Sequence, residues 1–525
     1  MPVMPATHPI DYGFLDWILA FLPILSVLIL MLRFRWGGAE AGAVGWIVAL
    51  VVAALRFGAG WSLLGYAQLK GLMLTLYVLF IIWTALLFFR VTDDAGAVSA
   101  IGAGLPRLTP DRGMQALLLG WVFSSFLQGM GGFGVPVAVT APLLVGLGFP
   151  AVAAIVIPSV GAAWAVTFGS LGLSFFALIG ATGLPGEVLA PWTAAMLGLA
   201  CLACGAATLW TAGGGRTLRA GLVPLILIWI TMAGVQYAVV THGLFSIGST
   251  MGGLIGLAVG VAYARWQGVR LQRTVEPVDH PPSSMPLGWA LAPYGLLVAI
   301  VLIAQIPPIG DSLDWLTIRA HFPELATARG WVTPAGEGRS ISIFGHAGSL
   351  LVYASVAAFV LFKARGRYQS GALGRIARGV SKRAIKSSLG TAAMVGMAAT
   401  MEHAGMIYLL ADGIAKITGP AFPLVSPFIG VMGAFMTGSN TNSNVVFANL
   451  QQQVAALLGI SPLIILAAQT AGGAIGSVFS PAKVIVGCST VAADEAPVLK
   501  GVMRNGMLIV AVLAIATTAA VYLIK

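Results

Sequence analysis

The stretch that decides the fold is Gly438-Ser439-Asn440-Thr441-Asn442-Ser443-Asn444. Six uncharged polar residues follow a glycine here, and apolar runs at 421–436 and 454–468 flank them. A bilayer cannot satisfy backbone N–H and C=O groups, so irregular polar backbone within it must line a cavity or be buried in protein. The stretch therefore predicts a broken transporter helix that holds a polar substrate near the middle of the membrane.

The composition places the whole chain in a lipid bilayer. Of its 525 residues, 58% are hydrophobic and 9% are charged, and apolar runs long enough to span a membrane recur along its length. This length predicts an all-α polytopic membrane protein with about 12–14 transmembrane helices and no sizeable soluble domain. The net charge of +11 resides mainly in short loops between apolar runs, which argues against a nucleic-acid partner.

The distribution of positive charge predicts how the chain crosses the membrane. Arg33 and Arg35 follow the first apolar run, which predicts a cytoplasmic end there and a periplasmic N-terminus. The loop at 363–387 is strongly basic and is predicted to be cytoplasmic. The loop at 307–345 has a slightly acidic balance and is predicted to be external. The other arginines that mark cytoplasmic connections are Arg90, Arg107, Arg112, Arg216, Arg219, Arg265, Arg270 and Arg273.

Two regions of the sequence share one order of features, which predicts an internal repeat. Each has a helix, a polar or glycine-rich break, a short apolar segment, a Leu-Gly pair, a longer helix with an internal glycine and a second break. Gly161 of the first region aligns with Gly472 of the second. We predict two transmembrane halves, 1–287 and 288–525, related by an inverted repeat. The alternative is two unrelated helix contacts rich in small residues.

The break in the first half is Gly129-Met130-Gly131-Gly132-Phe133-Gly134-Val135-Pro136. Four glycines in six residues cannot hold a helix, because each costs about 1 kcal/mol relative to alanine. Pro136 suits the first turn of a new helix, where its missing N–H is no loss. The free N–H groups at that helix start would attract a carboxylate, so Gly131, Gly132 and Gly134 are predicted to bind substrate.

The break in the second half offers the side-chain donors and acceptors that glycine lacks. Asparagine amides can bond both a carboxylate and a 2-hydroxyl, and serine suits a helix N-cap. The alternative is an ordinary polar loop at the membrane surface, but this segment has no charge whereas the other loops do. The residues of this half that are predicted to bind substrate are Ser439, Asn440, Thr441, Asn442, Ser443, Asn444 and Gln469.

Both breaks are predicted to lie in re-entrant hairpins, at about 129–149 and 438–460, that meet near the membrane centre from opposite sides. Gln469 lies in the helix after the second hairpin. It can line the substrate site, and hydrogen bonding between helices is the alternative.

An ionisable pair, Glu402-His403, interrupts another apolar span. A carboxylate within a membrane is costly and usually functional or paired, so Glu402 is predicted to carry a co-transported proton with His403 nearby. Adjacent residues point about 100° apart on a helix, so the two need not share a partner. The alternative places Glu402 at the external end of the span as an ordinary exposed residue.

The motifs resemble those of the L-lactate permease family. The resemblance rests on G-F-G-x-P-V-A-V-T-A-P-L-L-V-G-L-G-F at 132–149, on G-S-N-T-N-S-N at 438–444 and on Ser480-Pro481, and it covers essentially the whole chain. It implies a bacterial inner-membrane symporter that takes up L-lactate, D-lactate or glycolate with a proton. It also implies two inverted halves with re-entrant hairpins, as in the wider ion-transporter superfamily.

Lys483 departs from the resemblance, because the family usually carries a neutral amide at this position. An ammonium group beside a broken helix can bind a carboxylate, so Lys483 is predicted to contribute to the substrate site. The alternative is a lysine that extends its amine to the membrane interface.

Other functions receive less support from the sequence. A transporter of another organic anion, coupled to sodium or working as an exchanger, stays open, as does a homo-oligomer. A membrane-embedded enzyme is disfavoured because no nucleophile motif surrounds any serine, and a channel because no charged ring or carbonyl filter motif is present. No Walker motif, haem ligand set or metal-spaced cluster occurs, so we expect no catalytic residue, metal or cofactor.

Overall fold

The protein is built from α-helices and one small β-structure, in the computed structural model that describes residues 13–34, 36–104, 109–132, 134–270, 285–304, 306–491 and 493–523. Helices dominate because a helix satisfies its own backbone N–H and C=O groups, as lipid requires. Four helices open the chain: α1 Phe14–Phe34, α2 Gly38–Leu55, α3 Trp61–Asp94 and α4 Ala97–Gly104.

The helices that follow form a first broken set. A continuous helical run begins at Arg112, contains a π-helical stretch and ends at Met130, where the glycines stop it. Pro136 lies in the first turn of the next helix, as predicted. The members of this set are α5 Arg112–Gln115, the π-helix Ala116–Phe123, α6 Ser124–Met130, α7 Val135–Gly146, α8 Ala151–Gly161, α9 Leu173–Thr182 and α10 Gly186–Ala220.

The middle of the chain connects the two broken sets and carries the β-structure. Its helices are α11 Leu222–Thr241, α12 Gly248–Arg270, α13 Leu287–Ala304, α14 Pro307–Leu313, α15 Ala347–Ala364 and α16 Ala372–His403. Within the predicted external loop, six short strands form three nested antiparallel pairs, so Thr317–Ser342 makes one long hairpin, here called the β-arm. The pairs are β1 Thr317–Ile318 with β6 Ile341–Ser342, β2 His321–Phe322 with β5 Gly336–Glu337, and β3 Leu325–Ala326 with β4 Val332–Thr333.

A second broken set completes the chain. Its helices repeat the order of the first set: an outgoing helix, a break, a returning helix, a turn, a third helix, a second break and a fourth helix. The members are α17 Met406–Thr418, α18 Phe422–Thr437, α19 Asn440–Leu457, α20 Pro462–Val478, α21 Pro481–Val491 and α22 Glu495–Leu523.

Each broken set contains a helical hairpin with a break at its tip. In the first, Ser124 Oγ on α6 lies 3.2 Å from Thr140 Oγ1 on α7, so the two helices run side by side from the tip. In the second, Gln451 Nε2 on α19 donates to the carbonyl of Ser426 on α18 at 3.1 Å. The ranges 129–149 and 438–460 contain the tip and the returning helix of these hairpins, and their re-entrant character stays a prediction.

The opposite ends of the long helices α3 and α16 differ in what covers them. At one end the tip of the β-arm docks on the molecule: the amide of Ala328 donates to Gly58 O, and Arg329 and Arg56 both bind the carboxylate of Asp16, which is 2% exposed. We call this the β-arm end. The other, or basic, end holds the ion pair between Arg375 and Asp94, at 2.8 Å.

Two sequence-based expectations need correction. The polar run is not irregular over its length: only Gly438 and Ser439 break the helix, and α19 already begins at Asn440 because Ser439 caps it. In the part of the chain that the structure describes, ten helices are long and apolar enough to cross a membrane, or eleven with the bent pair α13–α14, rather than 12–14. Broken helices such as α7 and α9 are individually too short to count.

Three arginines used in the charge argument, Arg35, Arg107 and Arg273, lie outside the described residues. The division of the chain into halves at 287 and 288 stays a prediction.

Candidate substrate site

The polar run lies at the start of α19 and is buried. Ser439 Oγ accepts a hydrogen bond from the backbone amide of Asn442, and the side chains of Asn440 to Asn444 are all less than 9% exposed. Residues four apart share one face of a helix, so Asn440 and Asn444 point the same way. The break therefore presents two carboxamides to the same neighbours.

Both asparagines bond to the first broken set. Asn440 Nδ2 donates to Thr167 Oγ1 at 3.1 Å, and Asn444 Nδ2 donates to the carbonyl of Ser174 at 2.9 Å. Thr470 Oγ1, on α20, accepts from both amides at 3.3 and 2.9 Å. Ser174 Oγ and Thr441 Oγ1 lie 3.1 Å apart. We call this cluster the polar centre: Thr167, Ser174, Asn440, Thr441, Asn444 and Thr470.

The prediction missed the contribution of the segment between α8 and α9. Ser170 and Leu171 have φ angles of 47° and 61°, and Gly172 follows at 81°. Side chains in this left-handed region cost on the order of 1–3 kcal/mol each, and such strain is concentrated at functional sites. The repeat predicts a second break after the helix that contains Gly161, but serine and threonine here stand alone among apolar residues. The sequence therefore predicted where this break lies, but no run of polar residues marked it as part of the site.

The glycine break touches the polar centre through this strained segment. The amide of Gly132 donates to Ser170 Oγ at 2.8 Å, and the amide of Ser170 donates to Gln128 O at the same distance. Gly131 ends α6, and Gly134, with φ at 84°, immediately precedes α7. The Gly132 amide is thus already bonded within the protein, whereas the prediction had assigned it to substrate.

Some members of the predicted site face away from the polar centre. Asn442 Oδ1 accepts from Thr391 on α16 at 3.2 Å, and Ser443 Oγ donates to Gly430 O on α18. Gln469 Nε2 donates to Ser443 Oγ at 3.0 Å, and Gln469 Oε1 accepts from Gln451. Gln469 therefore makes the hydrogen bonds between helices that the sequence offered as the alternative to substrate contact.

Two acceptors of the polar centre are unpaired. Asn440 Oδ1 and Asn444 Oδ1 are buried and have no hydrogen-bond partner among the described residues. Their amide nitrogens are fixed in place, since each donates to two oxygens. A buried carbonyl without a donor costs about 1–3 kcal/mol, so both oxygens are ready acceptors for a hydroxyl group.

Four helix N-termini come together around the polar centre. The starts of α9 and α19 meet at Ser174 and Thr441, and Gly132 ties the start of α7 to them. The start of α21 is close to the α18–α19 tip, since a Cβ built on Gly438 would lie 3.3 Å from Ser480 Oγ. Each N-terminus carries roughly half a positive charge, so the four together favour an anion without any charged side chain.

Lys483 lies beside the polar centre rather than in it. It occupies the first turn of α21, and its Nζ donates to Ser477 Oγ at 3.0 Å. Ser477 follows Thr470 by seven residues on α20, so the amine lies about 10 Å along that helix towards the basic end. Ser480 Oγ, next to it in the break, is buried and unpaired within the described residues.

Glu402 and His403 lie on the other side, at the β-arm end. Glu402 is half-buried and His403 is 7% exposed, and both line a cavity of about 340 Å³, here called the vestibule. Thr391, which touches the polar run, precedes Glu402 by eleven residues on α16, or about 16 Å. The structure therefore does not bring Glu402 and His403 together with the asparagines. It adds two cations that the prediction had not singled out, Lys70 and Arg339, to the same cavity.

Broken helices that meet at a buried polar centre define this protein as a multi-pass membrane transporter. The L-lactate permease family matches residues 16–524, and the chain belongs to that family.

Relatives of known name extend over nearly the full length. The L-lactate permease of Bacillus subtilis (strain 168) is 25% identical, over 96% of this chain and 98% of the relative. The L-lactate permease and the glycolate permease GlcA of Escherichia coli (strain K12) are each 25% identical, over 97% of this chain and 96% of the relative. A solved structure of Neisseria gonorrhoeae MtrF is 12% identical, covers 100% of this chain and 96% of its own, and has a TM-score of 0.46. The named relatives are permeases, so this protein is a transporter of a small carboxylate and not an enzyme.

The packing at Gly132 generates a first test. A Cβ at this position would lie 2.6 Å from both Ser170 Oγ and Gln128 Nε2, so Gly132→Ala should displace the bond that joins the glycine break to the polar centre. Overpacking of this kind costs about 1–3 kcal/mol, and we expect at least a tenfold loss of transport. Gly146→Ala, on the same hairpin with no atom within 4 Å of its Cβ, should transport normally. Equal activity of the two variants, measured per amount of inserted protein, would contradict this placement.

The polar centre generates a second test. Asn440→Ala and Asn444→Ala should each weaken substrate binding about tenfold to a hundredfold, because each removes a hydrogen bond near a charged ligand. Asn442→Ala should have a smaller effect, since its side chain bonds to Thr391 instead. Binding is measured with purified protein by isothermal titration, after its thermal unfolding midpoint confirms a folded state. If Asn442→Ala is the most impaired of the three, the substrate contacts the opposite face of α19.

Proposed function

We propose that this protein takes up a small 2-hydroxymonocarboxylate, namely L-lactate, D-lactate or glycolate, by proton symport across the bacterial inner membrane. The names of the full-length relatives support this substrate class. The observation that carries the proposal is the polar centre, where helix N-termini lie beside two unpaired carboxamide oxygens.

The polar centre matches both functional groups of such an acid. A carboxylate accepts hydrogen bonds and is favoured by the positive ends of α9 and α19. A 2-hydroxyl donates one, and Asn440 Oδ1 and Asn444 Oδ1 are the acceptors available for it. A simple carboxylate such as acetate would leave those oxygens unpaired, so the site favours the hydroxy acid.

The orientation of the protein in the membrane follows from the distribution of its positive charge. The basic end, which includes the 363–387 loop, faces the cytoplasm by the positive-inside rule. The N-terminus, the β-arm and the vestibule then face the periplasm. Substrate arriving from outside reaches the polar centre from the vestibule, along α9 and α19.

Alternating access is supported by the similarity of the two broken sets. α9 and α19 run from their breaks towards the vestibule at the β-arm end, whereas α7 runs from its break towards Arg112, where the chain enters the first broken set. The aligned glycines also play one role: a Cβ on Gly161 would lie 2.1 Å from Gly120 O, and one on Gly472 would lie 2.0 Å from Pro427 O. Gly161 thus lets α8 pack closely on the π-helical stretch of the first set, and Gly472 lets α20 pack closely on α18. Two such units in opposite orientation can expose a shared site to either side in turn.

Uptake into proteoliposomes tests the function. Protein reconstituted with an inward pH gradient should accumulate radiolabelled lactate above the external concentration, and a protonophore should abolish the accumulation. Accumulation driven by a sodium gradient would contradict proton symport and indicate sodium coupling. Exchange without net accumulation would indicate an exchanger. Downhill flux without accumulation would indicate a channel.

We assign the co-transported proton to Glu402, because it is the one carboxylate of α16 and lines the vestibule. Glu402→Gln mimics the protonated residue permanently. It should abolish accumulation against a gradient while exchange of internal for external lactate continues. The comparison uses parallel proteoliposomes with and without trapped internal lactate. If the Glu402→Gln protein still concentrates lactate, another group carries the co-transported proton.

Lys483 should influence which acid is preferred, whereas transport itself should not require it. Its amine lies beside the α20–α21 break, about 10 Å along α20 from Thr470, and adds positive charge on the cytoplasmic side of the site. Lys483→Gln should therefore change the ratio of lactate to glycolate uptake several-fold while both continue. Competition between the two labelled acids measures this ratio, and complete loss of uptake by correctly inserted protein would give the lysine an obligatory role.

A further inference from the structure

We infer that the vestibule is a separate loading site, in which a carboxylate anion binds against Lys70 and Arg339 together with a proton on Glu402. The inference rests on the proposed symport and adds to it a second binding site for the substrate.

The vestibule has the size and the walls of a small-molecule site. Its volume of about 340 Å³ lies within the range of about 300–1,000 Å³ that such sites occupy. α3 and α16 form one wall, α9 and α19 another, and the β-arm covers it. On the α19 wall, Gln453 Oε1 is buried and has no hydrogen-bond partner in the part of the chain that the structure describes.

Lys70 and Arg339 are placed to receive an anion. Arg339 is held over the ring of Tyr77, at 4.5 Å, and donates to its hydroxyl, while its Nε is buried without a partner among the described residues. Lys70 Nζ lies 5.4 Å from the ring centre of Phe322 on the β-arm. Over the described residues, its amine forms neither an ion pair nor a hydrogen bond. Two cations held by aromatic rings thus keep their charge available to a ligand.

The remaining charged groups make the vestibule sensitive to protonation. Glu337 enters from the β-arm and Glu402 from α16, whereas α9 and α19 contribute only neutral groups. His346, behind Arg339, stays neutral at physiological pH, since burial and then the nearby guanidinium lower its pKa to about 4. The charges of Lys70 and Arg339 balance those of Glu337 and Glu402, and a proton on Glu402 leaves one positive charge in excess. An anion is therefore attracted when a proton is present.

The vestibule and the polar centre share two helices, α9 and α19. Val445 and Val446 line it and follow Asn444 on α19, while Gly180–Gly183 line it at the far end of α9. The N-termini of these same helices meet at the polar centre. A carboxylate released from Lys70 therefore moves along α9 and α19 towards their positive ends.

The test measures how the Michaelis constant for lactate uptake depends on pH, in proteoliposomes at about pH 6 to 8. Wild-type KM should rise several-fold as external pH rises, because the anion is proposed to bind together with a proton on Glu402. Glu402→Gln, assayed by exchange, should have a low KM that does not change with pH. Lys70→Gln should raise KM about tenfold at low ionic strength and less at high salt, and Lys70→Arg should restore it.

Control variants separate the possible failures. Lys416→Gln removes an equal charge from an exposed ion pair with Asp412 outside the vestibule, and should leave KM unchanged. His403→Gln should keep the pH dependence of the wild type. If His403→Gln loses that dependence and Glu402→Gln keeps it, the assignment to Glu402 is overturned. If Lys70→Gln has wild-type KM in a protein that accumulates lactate, the loading site is wrong and the proposed function stands. If the wild type does not accumulate lactate, the proposed function itself fails.

Discussion

The constraint on which this structure depends is that a bilayer offers no hydrogen bonds to a broken helix. Each interruption must therefore be satisfied by another part of the protein. Ser439 caps α19. Ser170 Oγ accepts a hydrogen bond from the amide of Gly132, and the carbonyl of Gln128 accepts one from the amide of Ser170. The breaks satisfy one another, so they have to lie together. The place where they meet therefore brings hydrogen-bond donors and acceptors together, which is why we propose it as the substrate site.

The distribution of charge follows from the same constraint. A charged side chain at the membrane centre is costly, whereas an anion must pass through it. In our proposal the polar centre resolves this conflict with helix N-termini and carboxamides, which favour an anion without holding a permanent charge of the opposite sign. Lys483 lies towards the basic end, and Lys70 and Arg339 lie in the vestibule. A site of this kind can bind a carboxylate and still release it, as transport requires.

Close helix packing allows the breaks to approach each other. Gly161 lets α8, and Gly472 lets α20, contact the backbone of the outgoing helix of the same set, where any side chain would collide. Small residues have this role in membrane proteins generally, since lipid provides no hydrophobic force to bring helices together. These glycines therefore allow the close helix packing in which Thr167 and Thr470 lie against Asn440.

The sequence by itself determined the membrane class, the family and the positions of the main breaks, because hydropathy and helix-breaking residues act locally along the chain. The Ser439 cap and the helix start near Pro136 followed from local rules in the same way. Only the tertiary structure decided which polar residues meet. Thr167 and Thr470 are 303 residues apart and lie within hydrogen-bonding distance, while neighbours such as Ser443 and Asn444 face different helices. Lys70 and Arg339 looked unremarkable in sequence because the vestibule forms only when the β-arm docks across α3 and α16. Contacts between distant segments depend on helix packing, and no local pattern in the chain records it.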